Sequence, residues 1–438
     1  MENFVGQMMQ MDEGAVRFVT NFFLLLDPED LKACRLVSKQ WNEFIKREVW
    51  RNQYGKKRLT HKLLQRWMAG NPKEEVFFSQ EVNFENQIED IVCDEEYVYC
   101  ADKTGKVMMF RLSDGVMERE LNPGPEDERL DIFDPGYLGH PKMAAKKDLL
   151  ALTGSVRDPV LITIPTLTVW NTTTSSTGEV VFRGGSRGSR IMAMEVMEGK
   201  IAIVEGSGDG WRHRSLVVIE KVDNVWMRKD LAQWPLPRSA ETCMASYNDV
   251  WVVLELDIDT LRVYTGSDDG KELKMPVSGN EYTWVMSMSL PFLVTLRAQG
   301  SRNCIVQVFK VPTEDIGTDI SLLKSINIEG VGFINLPLKP FYSNFVVGVL
   351  YSRQTVGDIL HVFDTAKLLD VSVLPENVEW REVKLGTGNW NCSARNRSVN
   401  TTSLVYIKDH YQGGHGQLHC QSLVKRDFWM SSSKSEKK

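Results

Sequence analysis

Seven short segments of alternating apolar and polar residues recur between residue 75 and residue 430, and each runs into a polar turn. Each segment is interpreted as the third strand of a unit of roughly 40–60 residues. Such repetition constrains the fold strongly, because one unit cannot bury its own apolar faces and must stack against its neighbours. The seven segments read KVMMFRLSDG, TLTVWNTTTS, SLVVIEKVDN, TLRVYTGSDDG, IVQVFKVPTED, ILHVFDTAKLL and QLHCQSLVKRD.

The units predict an all-β domain over residues 74–430, most simply a seven-bladed β-propeller. First strands are expected near 88–93, 140–145, 190–196, 240–246, 283–288, 331–336 and 390–395. Second strands are expected at Tyr97–Ala101, Leu149–Thr153, Ile201–Glu205, Val250–Glu255, Phe292–Arg297, Phe345–Tyr351 and Leu404–Lys408. We expect residues 75–84 to supply the outer strand of the last unit and so close the ring. The alternative is a pair of β-sandwiches, which the even spacing of the units disfavours.

The third strands resemble degenerate WD repeats. Val169-Trp170-Asn171 and Val362-Phe363-Asp364 stand where a WD repeat carries its Trp-Asp pair. No unit has the full signature. The resemblance therefore supports the propeller fold and assigns no function.

Residues 16–50 follow a helical period instead. Apolar residues recur at three- and four-residue spacing up to Leu26, which gathers them on one helix face. Asp27 is a good N-cap and Pro28 suits the first helical position, so a second helix is expected to begin there. Ser38 is expected to cap a further helix. Helices joined by such short turns pack together.

This helical segment resembles the F-box through Phe22, Leu26-Asp27-Pro28-Glu29-Asp30-Leu31, Leu36-Val37-Ser38-Lys39, Trp41 and Val49-Trp50. The usual Leu-Pro pair is missing, and Glu13-Gly14-Ala15-Val16 stands in its place. The resemblance implies binding to the Skp adaptor of a cullin-RING ubiquitin ligase. A helical pair that only caps the neighbouring domain is the alternative. The residues expected to divide between the small core and the adaptor surface are Phe22, Phe23, Leu26, Pro28, Leu31, Leu36, Val37, Trp41 and Trp50.

Four regions are expected in total. Residues 12–51 form the F-box helical module and 52–73 a helical connector, in which Leu63, Leu64 and Trp67 share one side. Residues 74–430 form the propeller. The polar tail at 431–438 is expected to be disordered.

Composition excludes several classes of partner and compartment. The formal net charge of −6 is mild for 438 residues, which argues against nucleic-acid binding and against an anionic membrane surface. The 7 cysteines are scattered without a Cys-x-x-Cys pair, as expected for reduced thiols in the cytoplasm or nucleus. We find no secretory signal and no apolar run long enough for a membrane span.

The sequence gives little support for catalysis, a metal or a cofactor. His410, His415, His419 and Cys420 are the only concentration of metal-ligand residue types, but a flexible glycine turn separates them, so a metal site is not expected. No nucleophile elbow, zinc-protease motif or phosphate loop is present. We therefore expect a non-catalytic protein without a cofactor.

Arginine recurs in the segments that we assign to loops on one rim of the propeller. Guanidinium groups bind phosphate and carboxylate in a bidentate manner, so these loops are a candidate surface for a phosphorylated or acidic protein substrate. The alternative is a set of ordinary solvated loop residues. The candidates are Arg157, Arg187, Arg190, Arg212, Arg214, Arg238, Arg297, Arg302 and Arg353.

Together these features predict the substrate-recognition subunit of a Skp–cullin–F-box ubiquitin ligase. It would act by bringing a target close to the conjugating enzyme, not by bond chemistry. The alternative is a propeller scaffold for protein–protein interaction that does not serve a ligase.

Overall fold

The computed structural model describes a short N-terminal helical segment and a large β-sheet region. The described residues are 16, 18–20, 23, 34–45, 73–82, 87–94, 96–124, 143–146, 148–157, 163–184, 189–197, 199–207, 213–235, 242–247, 250–255, 260–265, 271–274, 282–289, 292–299, 303–310, 321–329, 332–334, 339–341, 345–351, 358–378, 380–384, 392–399, 403–412 and 417–427.

The helical segment contains α1 at Lys39–Phe44, and residues 16, 18–20, 23 and 34–35 are also helical. Ser38 is extended and its hydroxyl accepts a hydrogen bond from the Trp41 N–H at 3.2 Å. This satisfies one of the backbone donors that a helix start leaves without a partner. The predicted Ser38 cap is therefore confirmed. None of the helices in the described ranges is long and apolar enough to cross a membrane.

The described strands form seven antiparallel sheets, which we number 1 to 7 along the chain. The first strand in the chain is β1 (Lys73–Glu81). Sheets 1 to 3 follow it and contain β2 (Ile88–Cys93), β3 (Tyr97–Asp102), β4 (Val107–Arg111), β5 (Met117–Leu121), β6 (Met143–Lys146), β7 (Leu149–Arg157), β8 (Thr163–Asn171), β9 (Glu179–Arg183), β10 (Arg190–Met197), β11 (Lys200–Ser207), β12 (His213–Val222) and β13 (Val225–Pro235).

The remaining strands continue the same pattern. Sheets 4 to 7 contain β14 (Thr242–Tyr247), β15 (Val250–Glu255), β16 (Thr260–Thr265), β17 (Lys271–Lys274), β18 (Tyr282–Ser289), β19 (Phe292–Gln299), β20 (Asn303–Lys310), β21 (Ser321–Glu329), β22 (Gly332–Ile334), β23 (Lys339–Phe341), β24 (Phe345–Tyr351), β25 (Asp358–Asp364), β26 (Trp380–Lys384), β27 (Cys392–Val399), β28 (Ser403–Gln412) and β29 (Gln417–Asp427). The predicted first and second strands are thus confirmed, with ends that differ by a few residues.

Within sheets 1 to 5 the four strands pair in sequence order, and sheet 6 pairs in the order β22-β24-β25-β26 with β23 also on β24. Sheet 7 has the order β1-β29-β28-β27, so β1 is its fourth strand. Lys73 opposes Asp427 in the register, and Glu81 opposes Cys420. The predicted pairing of the start of the β domain with its end is confirmed. Such an exchange leaves no open edge at the seam of a propeller.

Burial follows the position of each strand in its sheet. Where burial is described, second strands such as β11 are almost fully buried, whereas fourth strands such as β13 are largely exposed. The first strands of neighbouring sheets contact one another, as β10 does β14 and β2 does β27. First strands therefore lie innermost and fourth strands outermost, as in a β-propeller.

Polar side chains link neighbouring sheets. The Trp170 indole is fully buried and donates to the carbonyl of Asn122, which directly follows β5 of sheet 1, at 2.9 Å. An Asp90 carboxylate oxygen accepts the Met143 N–H of sheet 2 at 2.9 Å. These contacts hold sheets 1 and 2 together, and they place the Trp170 of the WD-like segment at the contact between the two sheets.

A short insertion interrupts sheet 6. A five-residue helix, α2 (Thr365–Leu369), and a 3-10 turn at Pro375–Asn377 lie between β25 and β26, where the sequence predicts only a turn. The Lys324 ammonium of sheet 5 donates to the Lys367 carbonyl at 2.7 Å and also to that of Asp370. A cation suits this place, because the last carbonyls of a helix carry partial negative charge. Burial lowers the pKa of Lys324.

Candidate docking surfaces

The helical segment has a small apolar core of its own. Phe23, Phe44 and Ile45 are buried, and the ring of Phe23 meets that of Trp41 edge to face with 5.2 Å between centroids. The rings of Phe23 and Phe44 are 5.9 Å apart. Val16, Val19, Cys34 and Trp41 pack around this core as partly buried side chains. The spacing of Val16, Val19 and Phe23 is the helical period that the sequence shows.

Three apolar side chains of the same segment point away from this core. Leu36 is 84% exposed and Val37 57%, in the turn just before α1. Phe18 is 74% exposed and lies off the stripe that Val16, Val19 and Phe23 form. Solvent-exposed apolar groups of this size on so small a module indicate a surface for a partner.

The expected adaptor residues are thus distributed as follows. Phe23 and Trp41 contribute to the core, whereas Leu36 and Val37 are exposed. Phe18 is missing from the sequence prediction, although an apolar residue off the buried stripe is the signal that could have identified it. Phe22, Leu26, Pro28, Leu31 and Trp50 lie outside the described residues.

The arginine surface is only partly described, and four of its members are not loop residues. Arg157 ends β7, Arg190 begins β10, Arg214 is the second residue of β12, and Arg297 lies within β19. Their assignment to loops is wrong because the strands extend further than apolar alternation alone shows. The remaining candidates, Arg187, Arg212, Arg238, Arg302 and Arg353, lie outside the described residues.

Arg214 is buried and links two neighbouring sheets. Its side chain is fully buried, and its Nε donates to Thr242 Oγ1 of sheet 4 at 3.4 Å. Gln421 makes a comparable link, because its amide oxygen accepts the Ile88 N–H of sheet 1 at 2.8 Å. Both side chains reach from a third strand to the first residue of the next sheet. Arg214 is therefore unavailable to a substrate in this structure.

The histidine region belongs to sheet 7. His410 and Cys420 are cross-strand partners in β28 and β29, and His410 Nε2 lies 3.1 Å from Ser422 Oγ. Burial and the nearby Lys408 lower the pKa of His410. Cys420 Sγ lies 3.2 Å from Ser79 Oγ. No group of three or more metal-ligating side chains comes together among the residues that the structure describes.

Comparison with known protein families identifies the helical segment. An F-box-like family model matches residues 19–56, so the predicted F-box resemblance is confirmed. No curated protein sequence matches the chain. The F-box-like match covers most of the helical segment and the residues directly after it, and it does not extend into the β-sheet region.

Solved structures resemble the β-sheet region in fold. The structure of U3-55K is 9% identical with a TM-score of 0.50, and the match covers 82% of this chain and 100% of that chain. The WD40 repeats of RRP9 are 8% identical with a TM-score of 0.49, covering 81% of this chain and 99% of that one. A computationally designed protein, Ika8, is 13% identical with a TM-score of 0.44, covering 80% and 99%. The U3-55K match shows a shared fold, and the order of strands in the sheets of the β domain is that of a β-propeller.

Proposed function

We propose that this protein is the substrate-recognition subunit of a Skp–cullin–F-box ubiquitin ligase. The observation that carries the proposal is the exposure of Leu36 and Val37 on a segment that matches the F-box-like family model. Apolar side chains that a small helical module leaves in water are suited to burial against an adaptor.

The mechanism in this proposal is recruitment. The F-box module binds the Skp adaptor, the adaptor joins the cullin-RING ligase, and the propeller holds a target protein near the ubiquitin-loaded conjugating enzyme. A tethered target meets that enzyme at a high effective concentration, so this chain needs no catalytic group of its own. We place this activity in the cytoplasm or nucleus, in keeping with the scattered cysteines of the sequence, which include no Cys-x-x-Cys pair.

The substrate in this proposal is a protein with a phosphorylated or acidic segment. The loops that join second to third strands and one sheet to the next carry Arg187, Arg212, Arg238, Arg302 and Arg353 in the sequence. Because strands alternate in direction, these two sets of loops lie at the same edge of the sheets. Guanidinium groups gathered there would favour a doubly charged phosphate.

Affinity capture tests the proposal. Full-length protein is isolated from cells treated with a proteasome inhibitor and compared with a chain that lacks residues 16–50. The full-length protein is expected to bring down the Skp adaptor and a cullin, and the shortened chain neither. A full-length protein that captures its propeller partners without any adaptor would contradict the ligase role and support the scaffold alternative.

A further inference from the structure

Ten large apolar side chains in the described part of the β domain are exposed, and all of them lie where a third strand leads into a fourth strand. Each lies in the turn between the third and fourth strands, at the last residue of the third strand, or among the first four residues of the fourth. We call this set the outer rim. It consists of Val76, Val116, Met117, Val222, Val225, Met227, Leu322, Val371, Leu374 and Trp380.

The outer rim lies at the edge of the sheets where the chain arrives from the F-box-like segment. Strand directions alternate within each sheet, so every fourth strand begins at this edge. Lys73 is the first residue of β1, which is a fourth strand, and it opposes Asp427 at the end of β29. The opposite edge carries none of the exposed large apolar side chains that the structure describes.

Three rim residues lie near the start of β1. The ring of Phe77 lies against Gly115, so closely that a Cβ atom on Gly115 would be 2.7 Å from the ring. Val76, Val116 and Met117 are within two residues of this contact and are 60%, 52% and 47% exposed. They make an apolar patch at the junction of sheets 7 and 1, three residues from the end of the connector.

The connector complements this junction in charge. Residues 52–73 contain six cations and no Asp or Glu. Near the patch, Glu96 and Asp114 lie in turns and Glu118 is the second residue of β5, and Asp114 and Glu118 share Arg111 as their ion-pair partner. A basic segment is thus tethered next to a surface with an excess of carboxylates. The connector cations are Lys56, Lys57, Arg58, Lys62, Arg66 and Lys73.

We propose that the connector docks on the outer rim at the junction of sheets 7 and 1. Its apolar side, formed by Leu63, Leu64 and Trp67, covers the Val76, Val116 and Met117 patch. Its cations face the carboxylates of the neighbouring turns. The inference rests on the proposed function and deepens it, because a docked connector fixes the direction in which the propeller presents a target to the ligase.

Hydrogen exchange and cross-linking of the full-length protein test the docking. The amides of residues 60–69 are expected to exchange about tenfold or more slowly than an unstructured segment. A zero-length carbodiimide reagent is expected to join the connector lysines to Glu96 or Asp114. Free exchange of these amides, or lysine cross-links confined to carboxylates of other sheets, would overturn the proposal.

Matched variants locate the contact. The pair Val116→Asp and Met117→Asp is expected to speed exchange at residues 60–69 about tenfold, because a buried carboxylate opposes the apolar contact. Val225→Asp with Met227→Asp changes rim residues of sheet 3 that are at least as exposed, and it is expected to leave exchange in the connector unchanged. Equal effects of the two pairs would contradict the assigned site.

A change on the connector side keeps the test valid if the rim variant unfolds. Trp67→Ser is expected to speed hydrogen exchange in the turn at 112–116, while the midpoint of thermal unfolding of the propeller stays the same. If that turn does not respond, the proposal fails. Adaptor capture is measured in the same samples, so that the two proposals can be distinguished. Adaptor binding together with a freely exchanging connector would contradict the docking alone. A protected connector without adaptor binding would contradict only the ligase role.

Discussion

The ring of Phe77 in β1 packs directly on the backbone of Gly115 in the turn between β4 and β5. This contact joins the strand that closes sheet 7 to the first sheet of the domain. Gly115 has φ of +73°, a left-handed conformation that favours glycine. The contact therefore requires glycine at position 115 for two reasons. The left-handed backbone conformation disfavours a Cβ atom, and the ring of Phe77 leaves no space for one.

Gly115→Ala is expected to destabilise the protein by about 2 to 4 kcal/mol, through backbone strain and the collision with Phe77. Gly199→Ala is the matched control, because Gly199 has φ of +70° but no atom within 4 Å of its Cβ position. The control is expected to cost only about 1 kcal/mol. Urea unfolding measures both, and equal losses would show that Phe77 does not constrain Gly115.

Gln421→Leu is expected to weaken the contact between sheets 7 and 1. The Gln421 amide accepts from the Ile88 N–H at 2.8 Å and donates to Asp409 Oδ1 at 2.8 Å, and all three residues are buried. Removing these bonds at similar volume is expected to cost about 3 kcal/mol of unfolding free energy. Gln233→Leu on the exposed face of β13 is the control, with an expected change below about 0.5 kcal/mol. Similar denaturation midpoints for the two variants would argue against this link.

Stability should decrease in mild acid partly through His410. Its pKa is lowered from the ordinary value of 6.5, chiefly by burial. Below that value the unfolded chain therefore binds more protons than the folded protein, so stability is lost as the pH falls. His410→Gln, which retains hydrogen-bonding capacity toward Ser422, is expected to lose less stability between pH of about 7 and about 5.5. Parallel pH profiles for the two proteins would contradict this role.

Ser38→Ala is expected to loosen the start of α1, because the Trp41 N–H loses its acceptor. The expected cost is about 1 kcal/mol. Hydrogen exchange at Lys39–Phe44 should therefore accelerate in this variant. Ser38→Asp restores a capping oxygen and should exchange like the original protein. Fast exchange in both variants would show that the hydroxyl does not act as a cap.

Apolar periodicity predicted most of the architecture. Seven repeats of alternating residues located the sheets. The segment that begins at Glu75 was expected to pair with the last unit, and the pairing is observed over Lys73–Glu81. Strand ends were less predictable. Arg157, Arg190, Arg214 and Arg297 lie inside strands, since charged residues near a strand end can still pair their backbones. The seven-bladed closure of the ring stays a prediction.

The docking surface was predicted only in part. The F-box resemblance named Leu36 and Val37 without showing that they face solvent, and it named Phe23 and Trp41 without showing that they form the core. Which side of a short helix faces a neighbour depends on packing, which periodicity alone does not specify. Exposure of the outer rim could not be predicted either, because it depends on where each fourth strand begins.

The most direct test of the account measures binding of purified Skp adaptor to the full-length protein by calorimetry. Leu36→Glu with Val37→Glu is expected to weaken binding about 100-fold, because two carboxylates would enter an apolar contact. Val222→Glu with Val225→Glu, on exposed residues of sheet 3, is the control and should bind like the original protein. Unchanged binding by the Leu36 and Val37 variant, with its fold intact, would contradict the assignment of this surface to the adaptor.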